Sequence, residues 1–473
     1  MNNYIFYDFE TTGRNSSWDQ IIQIGAILTD SNLKEIDRFE ARSKLKPGQI
    51  PYPKAILVNK SSVYDLTKSN LSNFELINKM KDKFQSWSPA LFIGYNSIAF
   101  DENFLRESLF RNLYDPYLTV TNGNKRTDLL NIIRTNHIIN PNIIKIPLND
   151  KNKPSYKLDK IAPINKIDDF NAHDATGDSI ATMKLTKIIK DKNPDLWFSC
   201  LLTAKREDTN KLLEDEKIVC ITESYFGKTT PYIVSLLCYH PIYKSAQCFD
   251  LKNDPNDYIN LTKDTLKHFV SKSPKIIRSL PTNKSPVIIN KNYFSKINEY
   301  AHLSFEELEK RSKIILSNTE FKKNIEQILL HQAEEREEMS SQQDIYFEET
   351  IYKSFPTNNE KIIMQEFHEA KWENKLKIAD KFNNTKYQYF AEQIIYEEHP
   401  NVLSKETFNK INRSISNKIF STNKEKWNTI PNAYKEIDDL RNEYDNLNDQ
   451  KTLRQLEELN FLIENIEKKF QDA

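Results

Sequence analysis

Glycine is scarce in this sequence. Seven occur in 473 residues, and six of them lie at or before Gly177. Sharp turns that need positive φ are therefore concentrated in the first part of the chain, and a composition boundary follows. Cysteine is sparser still. Cys200, Cys220, Cys238 and Cys248 include no CxxC pair. That excludes zinc-finger spacing and a dense disulfide framework, and it fits reduced thiols. No apolar run approaches the roughly 18 residues of a membrane span, and no charged-then-apolar leader opens the chain. A soluble, cytoplasmic protein is expected. Net charge is missing too: 67 Lys and Arg balance 67 Asp and Glu. The total gives no global sign of nucleic-acid binding, although a balanced total can hide a polarised surface. Residues 251–300 carry nine basic against four acidic residues, and residues 301–350 carry six against twelve. Ordinary solvated helix faces would produce the same counts.

What the chain does have is length and aromatic content. At about 100–200 residues per domain, 473 residues suggest roughly three domains. Twenty-two Tyr and 26 Phe supply much of the core in a chain that is only 38% apolar. "YIFYDF", "QIIQIGAILTD" and "KEIDRFEARSKL" read as successive strands, and "FELINKMKDKFQSW" as a helix. The short apolar run "ALFIGYNS" precedes a helical "DENFLRESLFRNL", and "DATGDSIATMKLTKIIKDK" is helical again. Hairpins followed by alternating helices and strands imply a mixed α/β sheet. From about Glu216 the pattern changes to short strand-like runs, "KIVCITESYF", "TTPYIVSLLCYHP", "KSAQCFDLK", "IIRSLP" and "SPVIIN", with the helical insertion "LTKDTLKHFV". After the acidic "AEEREEMSSQQD" the chain reads as helical to its end.

Chemistry concentrates at "YDFET". Asp8 and Glu10 are two residues apart on a strand, so both side chains face the same way. Two carboxylates converging on one spot repel unless a cation lies between them, and an oxygen-rich anionic site suits Mg²⁺ or Mn²⁺. Strand-end acids standing in solvent give the same pattern. Asp101, after an apolar run at a helix start, is a further candidate or an N-cap. "NAHDATGDSIATM" adds His173 and, five residues on, Asp178; Asp174 reads as a cap, and a lone His is often structural.

The set DxE, then "YN", then Asp101, then HDAxxD is similar to the DEDDh branch of the RNase H-like 3′→5′ exonucleases. Longer stretches narrow the resemblance. "YDFETTG", "GYNSIAFDENFLRESLFRNLYDPY", "RTDLLNIIR", "PSYKLDKIAPINKI" and "NAHDATGDSIATMKL" resemble bacterial exonuclease I. "YFGKTTPYIVSLLCYHP" and "NKSPVII" resemble that family's SH3-like middle domain, and "IYKSFPTNNEKIIMQEF" the start of its helical C-terminal domain.

The resemblance implies a fold: an RNase H-like α/β exonuclease domain over residues 1–195, an SH3-like β-rich domain with helical insertions over 196–345, and a helical domain over 346–473. It implies an activity: processive 3′→5′ hydrolysis of single-stranded DNA to 5′-mononucleotides, in DNA repair and recombination, by a monomer. Asp8, Glu10, Asp101 and Asp178 would hold two Mg²⁺ ions, or Mn²⁺, about 3.5–4 Å apart, with Asp8 bridging. His173 would orient the water and take its proton. Glu10, Arg106, Tyr117, Arg134 and Lys157 would contact DNA. Lys157 stands where the family usually has Arg and cannot make a two-pronged phosphate contact. Thr11 and Asn96 are further candidates at the terminal nucleotide. The basic stretch Lys263–Lys296 would line the DNA groove. The resemblance also implies docking of the acidic, hydrophobic C-terminal tail of single-stranded DNA-binding protein. Two other readings remain: an RNA 3′-end trimming exonuclease, and a catalytically inactive single-strand binding module.

Overall fold

The computed structural model describes residues 3–225, 227–340 and 345–472, with side chains at 339 and 340 excepted. Phe226, at the end of one expected strand, and residues 341–344 of the acidic segment lie outside the described residues.

The first sheet holds β1 (Asn3–Thr11), β2 (Ile21–Asp30), β3 (Glu35–Arg42), β4 (Leu91–Gly94) and β5 (Lys125–Asp128) in the order β3-β2-β1-β4-β5. β1 pairs antiparallel with β2 and parallel with β4, so it is the central strand and is covered on both faces. Its alternation sorts the side chains. Ile5, Tyr7 and Phe9 pack with Leu76, Met80 and Phe84 of the helix Asn73–Trp87. Tyr4 and Phe6 point the other way, into a core with Ala181, Leu185 and Ile189 of the helix Ala175–Lys192. By the same period of two, Asp8 and Glu10 lie on the face covered by Ala175–Lys192.

The second sheet is antiparallel, in the order β10-β6-β7-β8-β9. Its strands are β6 (Val219–Tyr225), β7 (Lys228–Tyr239), β8 (Ala246–Asp250), β9 (Ile277–Leu280) and β10 (Ile288–Ile289). Four fall within runs expected from the sequence, β7 begins one residue before its run, and the inserted helix is Lys263–Ser271. The first core continues into this sheet without a break, joining Tyr4 and Phe6 to Phe249, Ile289 and Phe321.

From residue 358 onward the chain is helical: Asn358–Glu369, Trp372–Ala379, Thr385–Glu398, Lys405–Ile419, Ile430–Asn446 and Gln450–Phe470. These helices pack on the first unit at two places. Phe74, Phe110 and Leu113 join Phe367 and Phe390, while Ile22, Ile50 and Ile56 join Ile437, Leu459 and Ile463.

The basic stretch does not present itself as a free groove wall throughout. Lys267 pairs with Glu335 at 3.3 Å on the acidic helix Thr319–Ser340. Arg278 is buried, 3.0 Å from Glu223 and 3.6 Å from Asp250, with its guanidinium 3.5 Å over the Tyr232 ring. The local charge excess is thus partly neutralised by carboxylates that sequence distance hides.

Candidate active site

Asp8 lies opposite Gly25 in the β1–β2 register, and Glu10 opposite Gln23. Gly25 lets the start of the helix Ala175–Lys192 sit directly on β2. A Cβ there would come within 2.2 Å of Thr176 N. Ser179 Oγ donates to Gly25 O at 3.0 Å and fixes the contact. Asp174 caps the helix, accepting from Gly177 N at 3.1 Å, and it also accepts from Gln23 Nε2 at 2.7 Å and Arg42 Nη2 at 2.8 Å. The cap therefore ties the helix to β2 and β3, a role the sequence does not suggest. Asp178, one turn on, is brought to the carboxylates of β1.

Carboxylate oxygens of Asp8, Glu10 and Asp178 all lie within 4.8 Å of one another. Among the described residues this is the one group of three or more such ligand atoms. Burial pushes the Asp8 carboxyl far up, reinforced by Asp101, Asp178 and Glu10. Burial, then Asp178 and Asp101, raises Glu10 to about 9. Burial raises Asp178 to about 7 against a weak backbone donation from His173. Three half-buried oxygen donors that cannot comfortably ionise together form a fitting set for a hard divalent cation.

Asp101 opens the helix Asp101–Arg111 and is buried beside this cluster rather than within it. Its Oδ1 accepts from Phe9 N at 3.0 Å. Burial raises its carboxyl, with Asp128 and Asp178 adding to the effect. His173 is half-buried in the loop before Asp174 and takes a left-handed backbone, φ 63°. Its N–H points to Asp178 Oδ1 at 3.4 Å. Burial lowers the imidazole pKa, Asp159 opposes that, and the charges of Lys60, Lys157 and Lys160 lower it further. Burial and these lysines favour the neutral imidazole, the form that accepts a proton.

The expected DNA contacts fall into different environments. Lys157 is exposed at the start of the helix Leu158–Ile164, on the His173 side. Arg134 is half-buried with its guanidinium 5.5 Å over Tyr156. Arg106 is buried. Its Nε donates to Glu102 at 2.9 Å and its guanidinium lies 5.0 Å over Tyr117. Glu102 also accepts from Thr119 at 2.6 Å and Tyr7 at 3.3 Å, and it pairs with Arg126. Arg106 thus belongs first to a buried network, one residue from Asp101. Tyr117 is half-buried, 6.3 Å from Phe355. Thr11 donates its hydroxyl to Gly13 O, and Asn96 N donates to Asp128.

Comparison with known proteins matches residues 5–186 to the RNase_T exonuclease family. The exodeoxyribonuclease I of Buchnera aphidicola from Schizaphis graminum is 33% identical over 229 residues, 48% of this chain and 47% of that protein. The counterpart from the Acyrthosiphon pisum strain is 27% identical over 338 residues, 68% of this chain and 81% of that one. The chain therefore spans about half the length of the first relative and most of the second. Among solved structures, Escherichia coli exonuclease I in complex with a dA16 oligonucleotide superposes with a TM-score of 0.82 at 20% identity, covering 98% of this chain and all of that one. An SSB/exonuclease I structure with an inhibitor gives 0.82 at 20% identity, over 98% and 100% of the two chains. At this identity the superpositions establish a shared fold.

Proposed function

We propose a 3′→5′ exonuclease that hydrolyses single-stranded DNA to 5′-mononucleotides, from the match of residues 5–186 to the RNase_T exonuclease family and the similarity to exodeoxyribonucleases I. The observation that carries this reading is the convergence of Asp8, Glu10 and Asp178. These residues, with Asp101 beside them, would hold two divalent cations, Mg²⁺ with Mn²⁺ as substitute. Bound there, such ions lower the pKa of water and stabilise a leaving 3′-oxygen. The protein's own part is separate. The Asp174 cap and Gly25 hold the helix bearing Asp178 against β1. His173 takes the water's proton on its neutral imidazole. Lys157 and Arg134 supply positive charge to the strand, and Tyr117 a face on which a base can stack.

The same reading divides the chain into residues 1–195, 196–345 and 346–473, the second SH3-like, working as a monomer. Continuity of the cores across these boundaries supports a body that keeps hold of a strand between cleavages, hence processive action in DNA repair and recombination. The dA16-bound and SSB-paired exonuclease I structures support single-stranded DNA as substrate and single-stranded DNA-binding protein as partner, which on this reading docks through its acidic tail.

The test is digestion of 3′- and 5′-labelled single strands with Mg²⁺, with EDTA, and with Asp8→Asn. Loss of a 3′ label as mononucleotide, abolished by EDTA and by the substitution, supports the reading. Release from the 5′ end, or turnover untouched by EDTA, overturns it.

A further inference from the structure

The helix Pro53–Asn59 ends on a residue that seldom fills such a place. Lys60 caps it in the left-handed region, at φ 55° and ψ 22°. Helices commonly end in that conformation, but on glycine, because a side chain is crowded there. Strained backbone of this kind persists where its surroundings hold it, and it gathers at functional sites. The surroundings here are specific. Lys60 Nζ donates to Ala172 O at 2.8 Å, 112 residues further along the chain. Ala172 immediately precedes His173, whose own backbone is left-handed at φ 63°.

The contact joins two parts of the candidate site. On one side, buried Asn59 donates from Nδ2 to Thr11 O at 3.1 Å, next to Glu10, and its Oδ1 accepts from Ser61 N at 3.1 Å. Ser61 O accepts from Gln455 Nε2 at 3.1 Å, on the helix Gln450–Phe470. Residues 59–61 are thus fixed to the end of β1 and to the last helix. On the other side, the loop carrying His173 has a weaker hold. The His173 N–H reaches Asp178 Oδ1 only at 3.4 Å, a long bond. Lys60 spans the gap between the fixed segment and that loop. Burial dominates the pKa of both His173 and Asp178, yet the Lys60 charge acts on both, which puts the ammonium beside the pair.

We propose that Lys60 is a positioning residue for His173: through Ala172 O it holds the histidine loop in place beside the Asp8, Glu10 and Asp178 cluster. Its effect on turnover rests on the nuclease reading; the tether itself does not. The Lys60 side chain is exposed, so a direct contact with a strand phosphate is the competing role, and the experiment separates the two.

The experiment uses the full chain as wild type, Lys60→Met, Lys60→Gly and Lys60→Arg. Methionine keeps an unbranched stem and removes the donor. Glycine suits the left-handed backbone, so that variant should melt no lower than wild type while lacking the tether. Arginine restores a donor. Two quantities are measured: amide hydrogen exchange of residues 168–173 in EDTA, and kcat and KM on a short oligo-dT with Mg²⁺. Faster exchange of the loop is expected in Lys60→Met and Lys60→Gly. In both, kcat should fall about tenfold, a part of the roughly 10²–10⁴ that a general base supplies. KM should stay within about twofold, as for a group that acts only in the transition state. Lys60→Arg should restore both the slow exchange and the turnover. Unchanged exchange in the methionine and glycine variants, or unchanged kcat in an active protein, overturns the tether. A rise in KM alone also overturns it and makes Lys60 a strand contact. An inactive wild type whose loop still loosens without Lys60 overturns the nuclease reading and supports the tether.

Discussion

At Asp8 the fold holds a carboxylate where burial and four neighbouring acids, Asp101, Asp178, Glu10 and Asp174, oppose its charge. The pH consequence has a definite sign. Carboxyls whose folded pKa is raised contribute stability that is complete below their unfolded values near 4 and is lost as pH rises through the folded ones. Here those are about 7 for Asp178 and about 9 for Glu10. In EDTA the melting temperature should therefore fall between about pH 5 and pH 9, and Mn²⁺ should restore it most at the alkaline end, because the cation binds the ionised carboxylates. Asp8→Asn should flatten the EDTA curve and abolish hydrolysis. A melting profile in EDTA that rises over this range would contradict the assignment. Glu102 presents the opposite situation: it is fully buried but accepts from Tyr7, Arg106 and Thr119 and pairs with Arg126. Glu102→Gln leaves two buried guanidinium groups without a counter-charge. A loss of about 3–5 kcal/mol is expected in urea unfolding, as for one partner removed from a buried pair. A loss below about 1 kcal/mol, the range of exposed pairs, would show that the network carries little.

At the scale of elements, the strands and the helices bearing the candidate acids are legible in the sequence because each follows a simple period. β1 alternates, so the shared face of Asp8 and Glu10 follows from spacing alone. The helix Ala175–Lys192 announces itself through its apolar side and its Asp174 cap. What spacing could not reveal is how close these elements come. Gly25 falls inside the expected strand "QIIQIGAILTD", but nothing in that pattern shows that its missing side chain lets a helix rest on β2. Arg106 is expected to contact DNA, but its guanidinium is held by Glu102 four residues earlier, which also pairs with Arg126 of β5. Lys267 and Arg278 read as basic surface because their partners Glu335 and Glu223 are 68 and 55 residues away. Gly25→Ala tests the close approach. Forcing a methyl against Thr176 N should cost about 1–3 kcal/mol, typical of overpacking. It should also reduce turnover well beyond the effect of an equally destabilising Leu459→Ala, since only the former displaces Asp178. Equal residual activity in the two variants at matched stability would remove Gly25 from any positioning role.

For the whole molecule, the cores are a better guide than the composition boundary. Every candidate metal residue lies before residue 195, which invites the idea of a self-sufficient catalytic fragment. The packing argues otherwise. The helix Ala175–Lys192 shares its core with Phe249, Ile289 and Phe321 of the next unit. Phe74, Phe110 and Leu113 are covered by C-terminal helices, as are Ile22, Ile50, Ile56 and Leu66. The loop just after Glu10 is also held from far along the chain. Trp18 packs 4.7 Å from Trp427 and 5.2 Å from Tyr346, Lys418 lies over all three rings, and Asn15 Nδ2 donates to Lys426 O at 3.0 Å. Cutting at residue 195 exposes at least seven large apolar side chains, each worth roughly 1.5–3 kcal/mol when buried. That total exceeds the 5–15 kcal/mol net stability of a typical domain near its lower end. A fragment of residues 1–195 should therefore lack a cooperative melt by circular dichroism and should bind a hydrophobic dye, while the full chain melts cooperatively. A milder test reaches the same contacts without truncation. Trp427→Ala should leave Mn²⁺ affinity close to wild type, because no metal residue moves with it, and should lower turnover through the loosened Gly13–Gln20 loop. A soluble, cooperatively melting fragment with wild-type turnover would show that the later helices are mere covering, and that the chemistry is contained in the first unit alone.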